Sequence, residues 1–187
     1  VKVTLLGNIE VPDEVPIILD RGGQGVGLYR TEFMVLERRR LPSADEQVVE
    51  YEKVIEHLAG KPLTIRTIDL GGDKLSRVNP RAAPGPASIN PALGLRALRF
   101  SLRDPDSLRA QLRAVLRVST LGPVRLLFPF VTGLEELRWA KGLLQEAAAD
   151  LEAEGVAFDP QLPVGVMIET PAAVEVADLL AQEVDFF

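Results

Sequence analysis

Three short segments set charged side chains directly behind apolar runs. Gly25-Val-Gly-Leu-Tyr29 leads into Arg30-Thr31-Glu32, Leu63-Thr-Ile65 into Arg66-Thr67-Ile68-Asp69, and Val164-Gly-Val-Met-Ile168 into Glu169-Thr170-Pro171. Arginine presents a planar fork of donors that matches phosphate or carboxylate. A carboxylate beside such an anion is repulsive unless a cation lies between them, and Mg²⁺ takes one or two protein carboxylates together with phosphate oxygens. Two guanidiniums and a carboxylate therefore predict a phosphorylated substrate chelated by Mg²⁺, with the helix start at Thr170-Pro171 adding backbone N–H groups. The competing local account pairs Arg30 with Glu32 and Arg66 with Asp69, each charge simply finishing its strand.

For the three segments to act together, the elements before them must open on one face. Runs rich in Val, Ile and Leu read as buried strands at Val3–Leu6, Val26–Tyr29, Leu63–Ile68, Val124–Phe128 and Val164–Ile168, with a last one starting near Val184. Helix signals lie between them: a capping box at Ser43-x-x-Glu46, a proline-started helix at Asp104-Pro105, and further starts at Thr132-x-x-Glu135 and Thr170-Pro171. Strands that are apolar throughout and separated by helices imply a parallel sheet, and the C-terminal ends of such strands share one rim. About six strands fit either an open doubly wound sheet or most of a (β/α)₈ barrel. A long Gly/Pro-rich loop over Leu70–Asn90 follows the third strand, and loops of that length are more often functional than accidental.

Composition excludes several classes. The 187 residues carry 21 Lys+Arg against 27 Asp+Glu, a net charge of −6, which argues against a general nucleic-acid binder. The absence of Cys removes disulfides, thiolate metal sites and thiol nucleophiles, and suits a cytoplasmic protein. No apolar stretch approaches the ~20 residues of a membrane helix, and the N-terminus has no secretory pattern. Membrane insertion is not expected.

The strand-end residues sit inside longer motifs. Gly27-Leu-Tyr-Arg-Thr-Glu-Phe33, Ile65-Arg-Thr-Ile-Asp-Leu-Gly-Gly-Asp-Lys74, Asn90-Pro-Ala-Leu-Gly-Leu-Arg-Ala-Leu-Arg99 and Gly165-Val-Met-Ile-Glu-Thr-Pro-Ala-Ala173 together resemble the phosphoenolpyruvate-binding domain of the Enzyme I family, the phosphoenolpyruvate–protein phosphotransferases of the bacterial sugar phosphotransferase system. The resemblance runs in order from Gly7-Asn8-Ile9 to Phe187. It implies a (β/α)₈ TIM-barrel fold, with residues 1–187 a partial barrel cut in or near the sixth strand. It implies that Arg30 and Arg66 grip the phosphate of phosphoenolpyruvate, that Arg96 is a further substrate-binding arginine, and that Glu169 is one of two Mg²⁺ ligands. The reaction it implies moves the phosphoryl group to a histidine on a separate domain and releases pyruvate. A small phosphocarrier protein is the next acceptor, and the barrel domain is also the dimer interface, so a homodimer is expected.

The chain departs from the family by what it lacks. The phosphoacceptor histidine would precede it; the second Mg²⁺ carboxylate, a substrate-binding Asn, a carboxylate-binding Arg and a proton-donating Cys would follow Phe187. Taken alone, these residues are expected to be catalytically inert, with weak or absent phosphoenolpyruvate affinity. The alternatives are a pyruvate phosphate dikinase or phosphoenolpyruvate synthase barrel, whose relatives share the Leu-x-Arg-Thr-Glu pattern, and a non-catalytic dimerisation or regulatory module. Other tempting residues read as structural. His57 ends a helix, Arg109, Arg113 and Arg117 line a solvated or subunit-facing helix surface, Trp139 is packing, and Met167 fills the barrel interior.

Overall fold

The computed structural model describes residues 3–71 and 96–187. Apart from Leu70 and Gly71, the Leu70–Asn90 loop lies outside the described residues, as do Gly72-Asp73-Lys74 of the second motif and 90–95 of the third.

The described elements alternate. β1 (Gly7–Ile9), α1 (Glu14–Asp20), β2 (Val26–Arg30), α2 (Glu32–Arg38), α3 (Ala44–Leu58) and β3 (Leu63–Arg66) precede the undescribed segment. α4 (Ala97–Ser101), α5 (Pro105–Val118), β4 (Val124–Phe128), α6 (Leu134–Ala153), β5 (Val164–Val166), α7 (Pro171–Glu175) and α8 (Ala177–Leu180) follow it. All five strands are parallel and lie in the order β1-β2-β3-β4-β5. A right-handed crossover between neighbouring parallel strands always delivers its helix to the same face. An order that never reverses therefore stacks the connecting helices on one side, and a doubly wound sheet, which must reverse, is excluded for these strands. The result is a singly wound α/β sheet consistent with the wall of a barrel.

Alternation along each strand divides the two faces. Leu63 and Ile65 of β3 and Leu126 and Phe128 of β4, together with Val26 and Tyr29 of β2, between which the register shifts, are buried in the main core with Val54 and Leu58 of α3, Leu112 and Val115 of α5, and Leu137 and Leu151 of α6. The rings of Tyr29 and Tyr51 meet edge to face at 5.9 Å, joining β2 to α3. Ser43 caps α3 in a full capping box with Glu46, as its spacing predicts. Thr170 accepts the N–H of Ala173 at the start of α7.

Several expectations are corrected. Val3–Leu6 is not a strand: Val3 and Leu5 are exposed, and pairing with β2 begins only at Gly7, opposite Val26. The sequence run there is apolar, but Leu5 bonds only to Gln24, to its backbone N–H and its side-chain oxygen, and no strand ladder forms among the described residues. The strands read as Leu63–Ile68 and Val164–Ile168 end earlier, at Arg66 and Val166, where the chain turns into the site. α6 is capped at Gly133, and Thr132 donates from both N and Oγ1 to Glu136 rather than engaging Glu135. The row Arg109, Arg113 and Arg117 is not a free surface. Arg109 pairs with Asp150 at 2.9 Å, Arg113 with Glu154 at 2.7 Å and Arg117 with Asp45 at 2.5 Å, tying α5 to α6 and α3. Near Val184, the chain pairs with β5 through a single parallel bridge between Gly165 and Phe186. A Cβ at Gly165 would lie 2.5 Å from the Phe186 ring, so any side chain here would have to displace that ring.

Candidate functional site

Arg30 and Arg66 are register partners on adjacent strands, β2 and β3. Equivalent positions of neighbouring parallel strands project to the same face, so the two guanidiniums leave the sheet side by side. Like charges so placed repel, and carboxylates from other elements interleave with them. Arg30 reaches Glu10, beyond the end of β1, at 3.0 Å, while Arg66 meets Glu32 of α2 at 3.1 Å and Asp69 at 3.7 Å. Only one of the two expected local pairs, Arg66 with Asp69, is present. Arg30 does not pair with Glu32 because α2 turns that carboxylate across to β3, where its second oxygen accepts the Asp69 N–H at 2.6 Å.

Arg96 enters from the far side of the undescribed segment. Its Nε and Nη2 donate to the two oxygens of Asp69 at 2.8 and 2.7 Å, a bidentate pair whose carboxylate is only 4 % exposed. The Asp69 carboxylate, reinforced by the negative charges of Glu169 and Glu32, raises the Arg96 pKa above its usual value. Glu169 follows β5, and its Oε1 accepts the backbone N–H of Phe130 at 2.8 Å.

All four residues singled out in the sequence, Arg30, Arg66, Arg96 and Glu169, line one open cavity of about 500 Å³. Glu10, Glu32 and Asp69 supply its other charges, and Leu28, Phe33, Leu36 and Met167 its apolar wall. Met167 is therefore at the rim, with its sulfur 3.8 Å from Arg66 Nη1, and not filler in a closed interior. His57 is elsewhere, at the end of α3, with Nδ1 3.2 Å from the Pro12 carbonyl. Trp139 packs against the main core.

Charge defines what the cavity can take. Among the described residues, three guanidiniums face four carboxylates, one negative charge in excess. An anion alone is opposed by that excess, and a divalent cation bound with it reverses the sign. Among the described residues no group of three or more His, Cys, Asp or Glu side chains comes together to hold a metal unaided. Glu169 has one oxygen accepting the Phe130 N–H, and its other could serve a divalent ion that also takes phosphate oxygens.

The wall behind the cavity is a buried polar network that sequence patterning missed. Thr31 Oγ1 donates to the Arg66 carbonyl at 3.0 Å, and Gln111 Nε2 lies 3.1 Å from both Thr31 Oγ1 and the Tyr51 hydroxyl. Gln111 Oε1 accepts the Ile68 N–H at 2.9 Å, and the Tyr51 hydroxyl donates to Gln47 at 2.9 Å. Burial raises the Tyr51 pKa, keeping it a neutral donor. Gln111 sits on the face of α5 that reads as apolar from Leu108, Leu112 and Val115; a polar residue in such a stripe was the available signal. Glu32 and Asp69 were visible only as local partners, and Phe130 gave no signal at all.

The C-terminal rim of this parallel sheet thus gathers arginines and carboxylates around one cavity. The sequence matches the family model for the phosphoenolpyruvate-binding domain of phosphoenolpyruvate-utilising enzymes over residues 1–187, and the chain belongs to that family. It is 45 % identical over 186 residues to the phosphoenolpyruvate-protein phosphotransferase of Priestia megaterium, covering 99 % of this chain and 32 % of that protein. It is 45 % identical over 187 residues to that of Geobacillus stearothermophilus, covering 100 % and 32 %. For Latilactobacillus sakei the figures are 43 % over 184 residues, covering 98 % and 31 %. The chain spans about a third of the length of these relatives.

Proposed function

We propose that this chain is the phosphoenolpyruvate-binding part of a phosphoenolpyruvate–protein phosphotransferase, the first portion of a (β/α)₈ barrel whose rim takes the substrate as its Mg²⁺ chelate. Arg30, Arg66 and Arg96 bind the phosphate, and Glu169 is a ligand to the ion. One observation carries the reading: three guanidiniums from separate parts of the chain and Glu169 face a single cavity.

The chain's residues perform positioning and charge neutralisation, which is most of what phosphoryl transfer requires. Arg66 is held by Glu32 and Asp69 in a nearly buried setting, so its fork is oriented before substrate arrives. Its Nε–H is buried and finds no acceptor among the described residues, an unmet donor that an anion oxygen would satisfy. Arg30 is more exposed, and its contact to Glu10 is exchanged for phosphate as the substrate enters. Mg²⁺, when bound, supplies the charge that offsets the excess of carboxylates. As the phosphoryl group leaves for a protein histidine, the guanidiniums stabilise charge on its oxygens, and pyruvate is released as its enolate for protonation. The phosphohistidine then serves a small phosphocarrier protein.

The test uses the full polypeptide encoded by the gene, incubated with phosphoenolpyruvate labelled in its phosphate. Acid-labile, base-stable label on the protein, dependent on Mg²⁺, is the expected result. Arg66→Lys, which replaces the fork by a point charge, should slow labelling by about 10²–10³-fold. Unchanged labelling in that variant would overturn the assignment.

A further inference from the structure

Phe130 lies just beyond β4 and contacts two residues that line the cavity, Glu169 and Arg96. Its φ is 57°, in the left-handed region that side chains other than Gly, Asn and Asp rarely occupy. It is 6 % exposed, so solvent does not explain that conformation. The backbone so turned donates its N–H to Glu169 Oε1 at 2.8 Å. The adjoining residue, Val131, accepts a hydrogen bond at 3.0 Å from Thr170 Oγ1, fastening the same two loops a second time. The ring has the Arg96 guanidinium 4.8 Å and the Arg99 guanidinium 5.4 Å from its centre. Arg96 is thus held between an aromatic face and the Asp69 carboxylate, with both its plane and its distance set. Unusual backbone conformations persist where their surroundings over-determine them, and they gather at functional sites.

We propose that Phe130 is a positioning residue that couples the ion side of the cavity to the phosphate side. Its backbone aims Glu169 and its ring aims Arg96. The proposal rests on the functional reading above. It assigns two separable tasks to one residue, the ring acting on substrate affinity and the left-handed backbone on the ion.

Four variants of the full polypeptide separate the tasks. Phe130→Leu removes the aromatic face and should raise the phosphoenolpyruvate KM about three- to tenfold, whereas Phe130→Tyr should restore it. Phe130→Gly and Phe130→Val both lose the ring, but only valine resists the left-handed conformation. Both should raise KM, and only Phe130→Val should also raise the Mg²⁺ concentration for half-maximal rate. A readout independent of turnover is the Arg96 side-chain Nε–H resonance, which a ring at this distance shifts upfield. The shift should persist in Phe130→Tyr and vanish in Phe130→Leu. Equal effects of all four variants, in proportion to lost thermal stability, would overturn the proposal, as would an Arg96 resonance indifferent to Phe130→Leu. An Arg96→Lys variant separates the two levels. If it raises KM strongly while Phe130→Leu does not, the coupling role fails and the site stands; if it leaves KM unchanged, the site itself is misassigned.

Discussion

Replacing Asp69 with asparagine should weaken the fold and strengthen anion binding at the same time. The Asp69 carboxylate is 4 % exposed and accepts two charge-assisted hydrogen bonds from Arg96, at 2.8 and 2.7 Å, with Arg66 a further 3.7 Å away. Bonds of this kind are worth about 1.5–3 kcal/mol each when enclosed. Arg96 is 27 % exposed and Arg66 keeps Glu32, so the net loss is smaller, roughly 2 kcal/mol. For a chain of this size that lowers Tm by about 4–8 °C. The same substitution deletes the cavity's excess negative charge. One unit of charge at about 8 Å through an effective dielectric near 40 amounts to ~1 kcal/mol, or roughly fivefold in phosphate affinity. Thermal unfolding across a phosphate titration reads both effects, since a ligand raises stability by RT ln(1 + [L]/Kd). The variant should start lower and recover more per step of phosphate than the parent. A lower Tm with unchanged or weaker phosphate response would show that Asp69 only braces the loop and that the cavity is not an anion site.

Gln111→Leu should cost about 1–3 kcal/mol in chemical denaturation, because it takes away the acceptor of the half-buried Ile68 N–H and the donor to the Thr31 and Tyr51 hydroxyl oxygens, while Tyr51 keeps its bond to Gln47. Loss of less than 0.5 kcal/mol would mean that these groups repartner easily. Acid titration should expose Glu46, whose carboxyl is held near a pKa of about 2 by the Arg40 guanidinium first and by the Ser43 backbone N–H next. A depressed folded-state pKa gives stability that is complete above the unfolded-state value near 4.5 and is lost as pH falls toward 2. Glu46→Gln should therefore flatten the stability curve between about pH 4.5 and 2 and leave its shape above pH 6 unaltered; an unchanged acid limb would contradict this.

Much of the scaffold was legible from local chemistry. Four of the strand starts, the Ser43 capping box and the Thr170-Pro171 helix start follow from periodicity and from donors that must be satisfied within a few residues. The same locality explains the failures. Val3–Leu6 has the composition of a strand, and whether a strand forms depends on ladder pairing that starts only at Gly7. The buried face of α5 could be counted from its leucines and valines, while Gln111 within it looked like an exception.

At the site, the residue types were decided by sequence and the partnerships by tertiary structure. Arg30, Arg66 and Glu169 were marked because each follows an apolar strand, and strand direction alone sends them to one rim. Pairing is a matter of a few ångströms between elements far apart in the chain. It took the register of β2 with β3 to set Arg30 beside Arg66, and the turn into α2 to carry Glu32 across to Arg66 instead of its neighbour Arg30. Phe130 is the extreme case: its importance lies in a backbone angle and a ring orientation, and neither is written in the identity of one phenylalanine.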